Sequence, residues 1–394
     1  MPFRTGTERD GVSFTVGVAR CGDYGAENVS RAVAEAVERA GGMPETACED
    51  ALVKANLLSP AEPERAVTTH PEVLRAVAME IQKKCGARVH IADNPGFIFT
   101  DTAELFKKTK IDAAAALDGV SRGLLADRGF REAEGGGFKA LAGARVSARY
   151  LDAAFCVNAP KLKTHLETEI SGCLKNIFGT ADTATRKKCH NSRSRKRLAD
   201  AIVDVYSVKP PQFHVMDAIE SMEGDGPSHG LPRKTGFVLA GANALAVDWV
   251  AAVIMGYDNP PDIPLLAAAA ARGMGPVSRG EISLVGAEWD ELPVKGFKKS
   301  SGYVRALPVF LRGVGYRLVS VAPRLDPDKC VRCGICARVC PVNAIPPLTG
   351  AGDDFPSVER EKCVRCLCCH EMCPTGAMTA RKNLLARLIE RSRA

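Results

Sequence analysis

The chain has 394 residues, 46% hydrophobic and 25% charged, with a formal net charge of +7. That balance suits a folded protein of two or three domains and excludes disordered, collagen-like and membrane-spanning classes. An odd cysteine count of 15 and an opening, MPFRTGTERDG, without a charged-then-apolar leader argue against a secreted disulfide scaffold and for a cytoplasmic setting.

In chain order, short β-rich runs at residues 13–18, 52–55, 89–92, 155–157, 213–216, 237–239 and 282–285 read as strands. Between them, residues 28–39, 71–84, 198–206 and 245–255 carry apolar side chains at three- and four-residue steps and read as helices. The alternation predicts an α/β fold, a largely parallel sheet flanked by helices. Residues 113–143, rich in Ala and Gly, and 186–197 fit this alternation less well and are read as inserted elements, with Gly135 to Gly137 a mobile turn. The most apolar stretch, 303–321, is broken by Arg305, Pro308, Arg312, Gly313, Gly315 and Arg317, so it is read as a connector and not a transmembrane segment. The expected organisation is an α/β domain over 1–295, a connector over 296–322, a small α+β domain over 323–380 and a basic helix or tail over 381–394.

Several expected strands end in a polar side chain: Asn56, Asp93 with Asn94, Asn158 and Asp217. In open α/β sheets the carboxyl ends of strands line the ligand crevice, although Asn and Asp also serve simply as helix caps and turn formers. The densest polar segment follows one such end and holds Lys161, Lys163, His165, Lys175 and Asn176. Lysines so placed can hold a small anionic substrate, and His165 can supply a proton near neutral pH. The plainer alternative is that Thr164 caps a helix whose solvated face carries the lysines.

Residues 186–197 (RKKCHNSRSRKR) hold seven positive charges and no acid, equal to the whole excess of +7. The run is short, lacks interleaved aromatics and matches no nucleic-acid module, so it is read as a solvated loop near the mouth of a site, and nucleic acid is not expected as a partner. No phosphate-binding glycine motif occurs; GVARCGDYG fails the dinucleotide spacing. Cys21, Cys48, Cys85, Cys156, Cys173 and Cys189 share no ligand spacing and are read as small buried residues, with Cys173 singled out for reactivity because lysines flank it.

Near the C-terminus, Cys330, Cys333, Cys336 and Cys340 precede Pro341, and Cys363, Cys366, Cys369 and Cys373 precede Pro374. The C-x2-C-x2-C-x3-C-P spacing holds two 4Fe–4S clusters, three thiolates of one loop binding one cluster while the fourth reaches the other. A zinc site has no use for a third cysteine at the same step. The expected ligands are Cys330, Cys333, Cys336 and Cys373 for one cluster and Cys363, Cys366, Cys369 and Cys340 for the other. Cys368 breaks the step and is read as an apolar neighbour, and His370 as a surface residue. Residues 325–380 closely resemble the bacterial two-cluster ferredoxins.

The run PKLKTHLETEISGCLKNIFG resembles the hallmark of the domain-of-unknown-function 362 (DUF362) family, whose members are often fused to such ferredoxin modules. Residues 53–77, 217–241 and 246–256 agree with it, and Ser171 stands where the family commonly has Thr. The likeness covers residues 45–275 and implies a redox-linked α/β domain without fixing a reaction. It points to Lys161, Lys163, His165, Lys175 and Asn176, and more weakly to His190, Asp217, Glu223 and Asp248. Glu223 lies in a Gly/Pro-rich loop, and Asp248 lies in an apolar helix, where it needs a partner or an exposed position. The expectation is an iron–sulfur oxidoreductase whose two clusters pass electrons to a small anion, with an electron donor or acceptor protein as partner; the alternative is an electron carrier or an assembly and docking protein for a separate enzyme.

Overall fold

The computed structural model describes residues 13–96, 101–133, 137–191, 194–300, 321–348 and 355–383. The strands in chain order are β1 (Phe14–Arg20), β2 (Asp50–Lys54), β3 (Arg88–Asp93), β4 (Val120–Leu124), β5 (Phe130–Ala133), β6 (Ala144–Ser147), β7 (Phe155–Asn158), β8 (Lys161–His165), β9 (Glu169–Ser171), β10 (Phe213–Glu223), β11 (Leu231–Gly241), β12 (Ile282–Val285), β13 (Val321–Leu325) and β14 (Met378–Lys382). The central sheet runs β12-β1-β11-β10-β7-β2-β3-β4, and β8 pairs with β10 and β9 beside that path. The β10–β7–β2–β3–β4 half is parallel throughout, whereas β11 pairs antiparallel with both β1 and β10.

Alternation along the strands divides the core into two layers, because successive side chains point to opposite faces. Val16, Leu52 and Met216 join one buried cluster, and Ala19, Val53 and Val215 join the other. The helices α1 (Ala26–Arg39) and α2 (Pro71–Cys85) cover the second face. Pro71 at the first position and Gly86, left-handed just past the end, delimit α2. Then follow α3 (Thr102–Thr109), α4 (Ile111–Ala115), α5 (Ala148–Asp152), α6 (Cys173–Ile177), α7 (Thr183–His190), α8 (Arg195–Val208), α9 (Ala244–Ile254) and α10 (Pro264–Ala270). Of these, α6, α8, α9 and α10 pack on the first face.

Four expectations are corrected here. Residues 161–165 form a buried strand, so Thr164 caps no helix and Lys161 and Lys163 lie on no solvated face. Residues 113–143 are only partly an insertion: β4 extends the main sheet, while β5 and β6 form a separate two-stranded ladder. The basic run is not a solvated loop, because α7 and α8 contain all of it except residues 191–194 and bury Arg186 and His190. Asp217 sits inside the long strand β10 and not at a strand end. Gly135 and Gly136, the apolar stretch 303–320 and the tail beyond Asn383 lie outside the described residues.

In the C-terminal module, β13 and β14 pair antiparallel from Val321↔Lys382 to Leu325↔Met378 and bring its two ends together. Its helices are α11 (Ile335–Val339) and α12 (Cys368–Glu371). The sequence repeat is also a backbone repeat. Arg332 and Arg365 have φ of 54° and 61°, Gly334 and Leu367 of 69° and 57°, and Asn343 and Gly376 of 51° and 66°. Left-handed residues at three matching positions turn each cysteine loop the same way; Leu367 adopts one without the freedom of glycine, a cost of about 1 kcal/mol.

Candidate functional site

Two cavities of about 20 Å³ lie in the C-terminal module. Cys330, Cys333, Cys336 and Cys373 line the first, with Leu325, Ile335 and Met378. Cys340, Cys363, Cys366 and Cys369 line the second, with Ile345, Val358 and Val364. Each draws three cysteines from one motif and the fourth from the other, and Cys368 lines neither. Backbone N–H groups already point at two of the sulfurs: Ala344 donates to Cys340 Sγ at 3.1 Å and Met378 to Cys373 Sγ at 3.4 Å. Four soft thiol donors in an apolar shell with N–H···S bonds is a donor set that fits a 4Fe–4S cluster.

A third cavity, of about 70 Å³, lies where α12 meets the carboxyl ends of β2 and β3. Asn56, Asp93 and Asn94 from the strand ends, Lys163 and His165 from β8, Lys175 and Asn176 from α6, Arg186 and His190 from α7, and Glu371 and Met372 from the C-terminal module line it. Asn158 stands behind the wall and holds Asn176: Asn176 Nδ2 donates to Asn158 Oδ1 at 2.8 Å, and Asn176 Oδ1 accepts from Asn56 Nδ2 at 2.8 Å. The parallel strands therefore deliver their polar ends to one place, as open α/β sheets do.

The lysines divide into two roles. Lys163 Nζ donates to Asn56 Oδ1 at 2.8 Å and to the Val67 carbonyl at 2.7 Å. Burial, aided by Lys175, brings its pKa down to about 7. Lys175 is half-buried; its ammonium rests 4.4 Å over the Phe178 ring and makes no hydrogen bond among the described residues. Burial lowers its pKa too, against the pull of Glu371 and Glu167. Lys161 lies outside the cavity, where Asp217 Oδ2 at 2.9 Å and Tyr24 Oη at 2.6 Å take up its charge.

His165 is 2% exposed, and its Nδ1 accepts the backbone N–H of Glu167 at 3.1 Å. The other ring nitrogen, Nε2, therefore carries the proton and stands 3.7 Å from Glu371 Oε1. Burial, with Lys175 and His190 nearby, holds its pKa well below the ordinary range, so the ring is neutral. Burial also raises Glu371 to about 8. Beside them, His190 Nδ1 lies 3.0 Å from Glu167 Oε2.

Arg186 is 3% exposed. Its Nε donates to the Ala181 carbonyl at 2.8 Å, and Nη1 donates to those of Pro95 at 2.8 Å and Gly96 at 2.7 Å. Among the described residues its Nη2 has no hydrogen-bond partner and the guanidinium has no ion pair. Asp93, by contrast, is paired with the buried Lys54 at 2.6 Å and accepts the Leu57 N–H at 2.6 Å.

Two weaker candidates lie outside the cavity. Asp248 accepts the N–H groups of Cys173 at 2.5 Å and Leu174 at 3.0 Å, which anchors the first turn of α6; burial raises its pKa to about 6. Gly172 leaves room for it, since a Cβ there would lie 2.2 Å from Asp248 Oδ1. Glu223 accepts the Lys298 N–H at 3.0 Å. Cys173 is fully buried and its thiol is pushed well up by burial and by Asp248, the opposite of an activated thiol. His370 is buried, its Nδ1 2.6 Å from the Met378 carbonyl, and not a surface residue. Sequence reasoning missed Arg186, inside a charge run, and Glu371, inside a cysteine motif; both are charges in segments that the fold buries.

Residues 51–253 match the family described as Domain of unknown function (DUF362), and residues 323–345 and 356–379 match the 4Fe-4S binding domain. The chain is 30% identical over 270 residues to a thylakoid-associated protein of Synechocystis sp., covering 67% of this chain and 81% of that protein. Among solved structures, the lactate racemase apoprotein of Thermoanaerobacterium thermosaccharolyticum is similar at a TM-score of 0.41 and 14% identity, covering 59% of this chain and 54% of that one. A Thermotoga maritima protein is similar at a TM-score of 0.35 and 14% identity, over 53% of each chain. The chain thus spans about half the length of the solved structures it matches. No helix among the described residues is long and apolar enough to cross a membrane. The C-terminal module carries two 4Fe–4S clusters and serves electron transfer, and the chain belongs to the DUF362 family, with a two-cluster ferredoxin module joined after its α/β domain.

Proposed function

We propose that the protein is a reductase that passes electrons from its clusters to a small anion held in the cavity between α12 and the strand ends. The observation that carries this reading is that α12 contributes Cys369 to one cysteine-lined cavity and Glu371 to the polar one, with Met372 just beyond it. The cysteine ligands in this reading are Cys330, Cys333, Cys336 and Cys373 for one cluster and Cys363, Cys366, Cys369 and Cys340 for the other. When bound, the clusters would supply electrons one at a time. A partner protein would donate them at the first-motif loop, where Cys333 is exposed and Val331 is 63% exposed.

The chain's own groups bind and protonate. Lys163 and Lys175 attract the anion into a site from which most water is excluded, where their charge acts with less screening than in bulk water. Lys163, brought to about 7 by burial, can give a proton to the reduced product, and His165, fixed by backbone N–H groups at Nδ1, presents Nε2–H to it as a hydrogen-bond donor. Asn176 and Asn158 hold the two walls in register.

The test is to reduce the anaerobically purified protein and add small anions while following cluster absorbance. Oxidation that depends on one compound, and falls about 10²–10³-fold in His165→Ala with clusters intact, supports a reductase. If His165→Ala and Lys163→Ala behave as wild type across the panel while only a protein acceptor takes the electrons, the chain is an electron carrier and the reductase reading fails.

A further inference from the structure

Among the described residues, Arg186 is a buried charge with no ion pair. Three of its N–H groups are committed to the backbone carbonyls of Ala181, Pro95 and Gly96, which fix the guanidinium plane without neutralising it. A buried cation left unpaired is costly, and buried charges are ordinarily paired or bound to a ligand. Its Nη2 remains without a partner among the described residues, and Arg186 lines the same cavity as Lys175. The two cations repel: the Arg186 charge is one of the causes that lower the Lys175 pKa. The other charges lining the cavity are largely engaged, Asp93 by Lys54 and Lys163 by Asn56 and the Val67 carbonyl.

We propose that the anion taken by this cavity is a small carboxylate, its two oxygens bridging Arg186 Nη2 and Lys175 Nζ, with Arg186 the residue that sets this specificity. The inference rests on the reductase reading for the site's purpose and adds the ligand's class. Nη2 and an ammonium offer two donor groups, which matches the two oxygens of a carboxylate better than the crowded oxygens of a phosphate. With Asp93 taken up by Lys54, Glu371 is the one other carboxyl in the lining and is outnumbered by the cations, which favours an anionic ligand. The cavity, of about 70 Å³, suits a small molecule, and Asn56, Asn94 and Ser171 leave a polar lining for a hydroxyl or carbonyl beside the carboxylate.

The experiment is calorimetric titration of the anaerobic, oxidised, cluster-loaded protein with acetate, glycolate, oxalate and inorganic phosphate. Expected is binding of at least one carboxylate ahead of phosphate, weakened about tenfold or more in Arg186→Gln and in Lys175→Gln, since a charge-assisted hydrogen bond is lost in each. Lys175 makes no hydrogen bond among the described residues, so its variant retains the fold even where loss of Arg186 disturbs it; cluster absorbance checks both. Phosphate binding ahead of every carboxylate, no binding of any probe, or carboxylate affinity unchanged in Lys175→Gln overturns the proposal. The reductase reading fails separately, when no carboxylate that binds, across a panel of reducible ones, oxidises the reduced clusters.

Discussion

The cysteine-lined cavities and the polar cavity are assembled from sequence in contrasting ways. In the C-terminal module each set of four cysteines comes from two short loops with matching left-handed residues, so local spacing alone specifies the geometry. In the α/β domain, Lys163 reaches Asn56 across 107 residues of chain and Asn176 reaches Lys54 across 122. The first kind of site is carried by a loop and the second by a sheet. Consequently the first tolerates changes elsewhere in the fold, whereas the second depends on buried pairs that hold the strand ends in register.

The largest effect that sharpens this contrast is expected from Cys340→Ala. It removes a thiolate contributed by the first motif to the cavity of the second, so the second-motif cluster is lost, iron content falls by roughly half, and the first-motif cluster persists in its paramagnetic resonance signal. Loss confined to the first-motif cluster would break the exchange of ligands. Next comes Asp93→Ala, which strands the buried Lys54 ammonium. Destabilisation of about 3–5 kcal/mol is expected in denaturant unfolding of the α/β domain, with the cluster spectrum unchanged before the transition. Equal loss of clusters under native conditions would show that the two regions are not independent.

A smaller effect concerns pH. Lys163 holds its proton below about 7 and faces Lys175, Asp93, Lys161 and Glu371. An anion prefers the protonated lysine, so affinity is highest below that pH and falls by roughly tenfold above it. Lys163→Met should flatten the profile of affinity against pH; an unchanged profile would remove Lys163 from the site. The smallest effect is expected from Lys187→Ala, which deletes an exposed bond of 2.8 Å from α7 to the Arg338 carbonyl of the module. Its effect on stability should stay within about 1 kcal/mol.

The same contrast explains what could be read from the chain. All seven expected strands and four expected helices occur, because Val- and Ala-rich runs flanked by helices keep their periodicity even when buried on both faces. The hairpin of β8 and β9 was hidden, since KLKTH alternates lysines and leucine in a way that also suits a solvated helix, and only contacts over a hundred residues away reveal that its lysines are buried. The cysteine spacing was legible because its step is local and occurs twice in the sequence. Of the cavity's residues, Lys163, His165, Lys175 and Asn176 were legible as a polar cluster following a strand. Arg186 resembled the exposed Lys188, Lys196 and Arg197 of the same run, and nothing local in KCVRCLCCHEMCP marks Glu371 as a charge that will face another domain.

The central claim is that the second-motif cluster and the polar cavity form one working unit. Its most direct measurement is the paramagnetic resonance spectrum of the fully reduced protein before and after saturating addition of a small carboxylate that binds without oxidising the clusters, such as acetate. The account expects the signal of the second-motif cluster to shift while that of the first stays constant, and the shift to vanish in Lys175→Gln. A spectrum unchanged by every anion that binds, or a shift confined to the first-motif cluster, would contradict it.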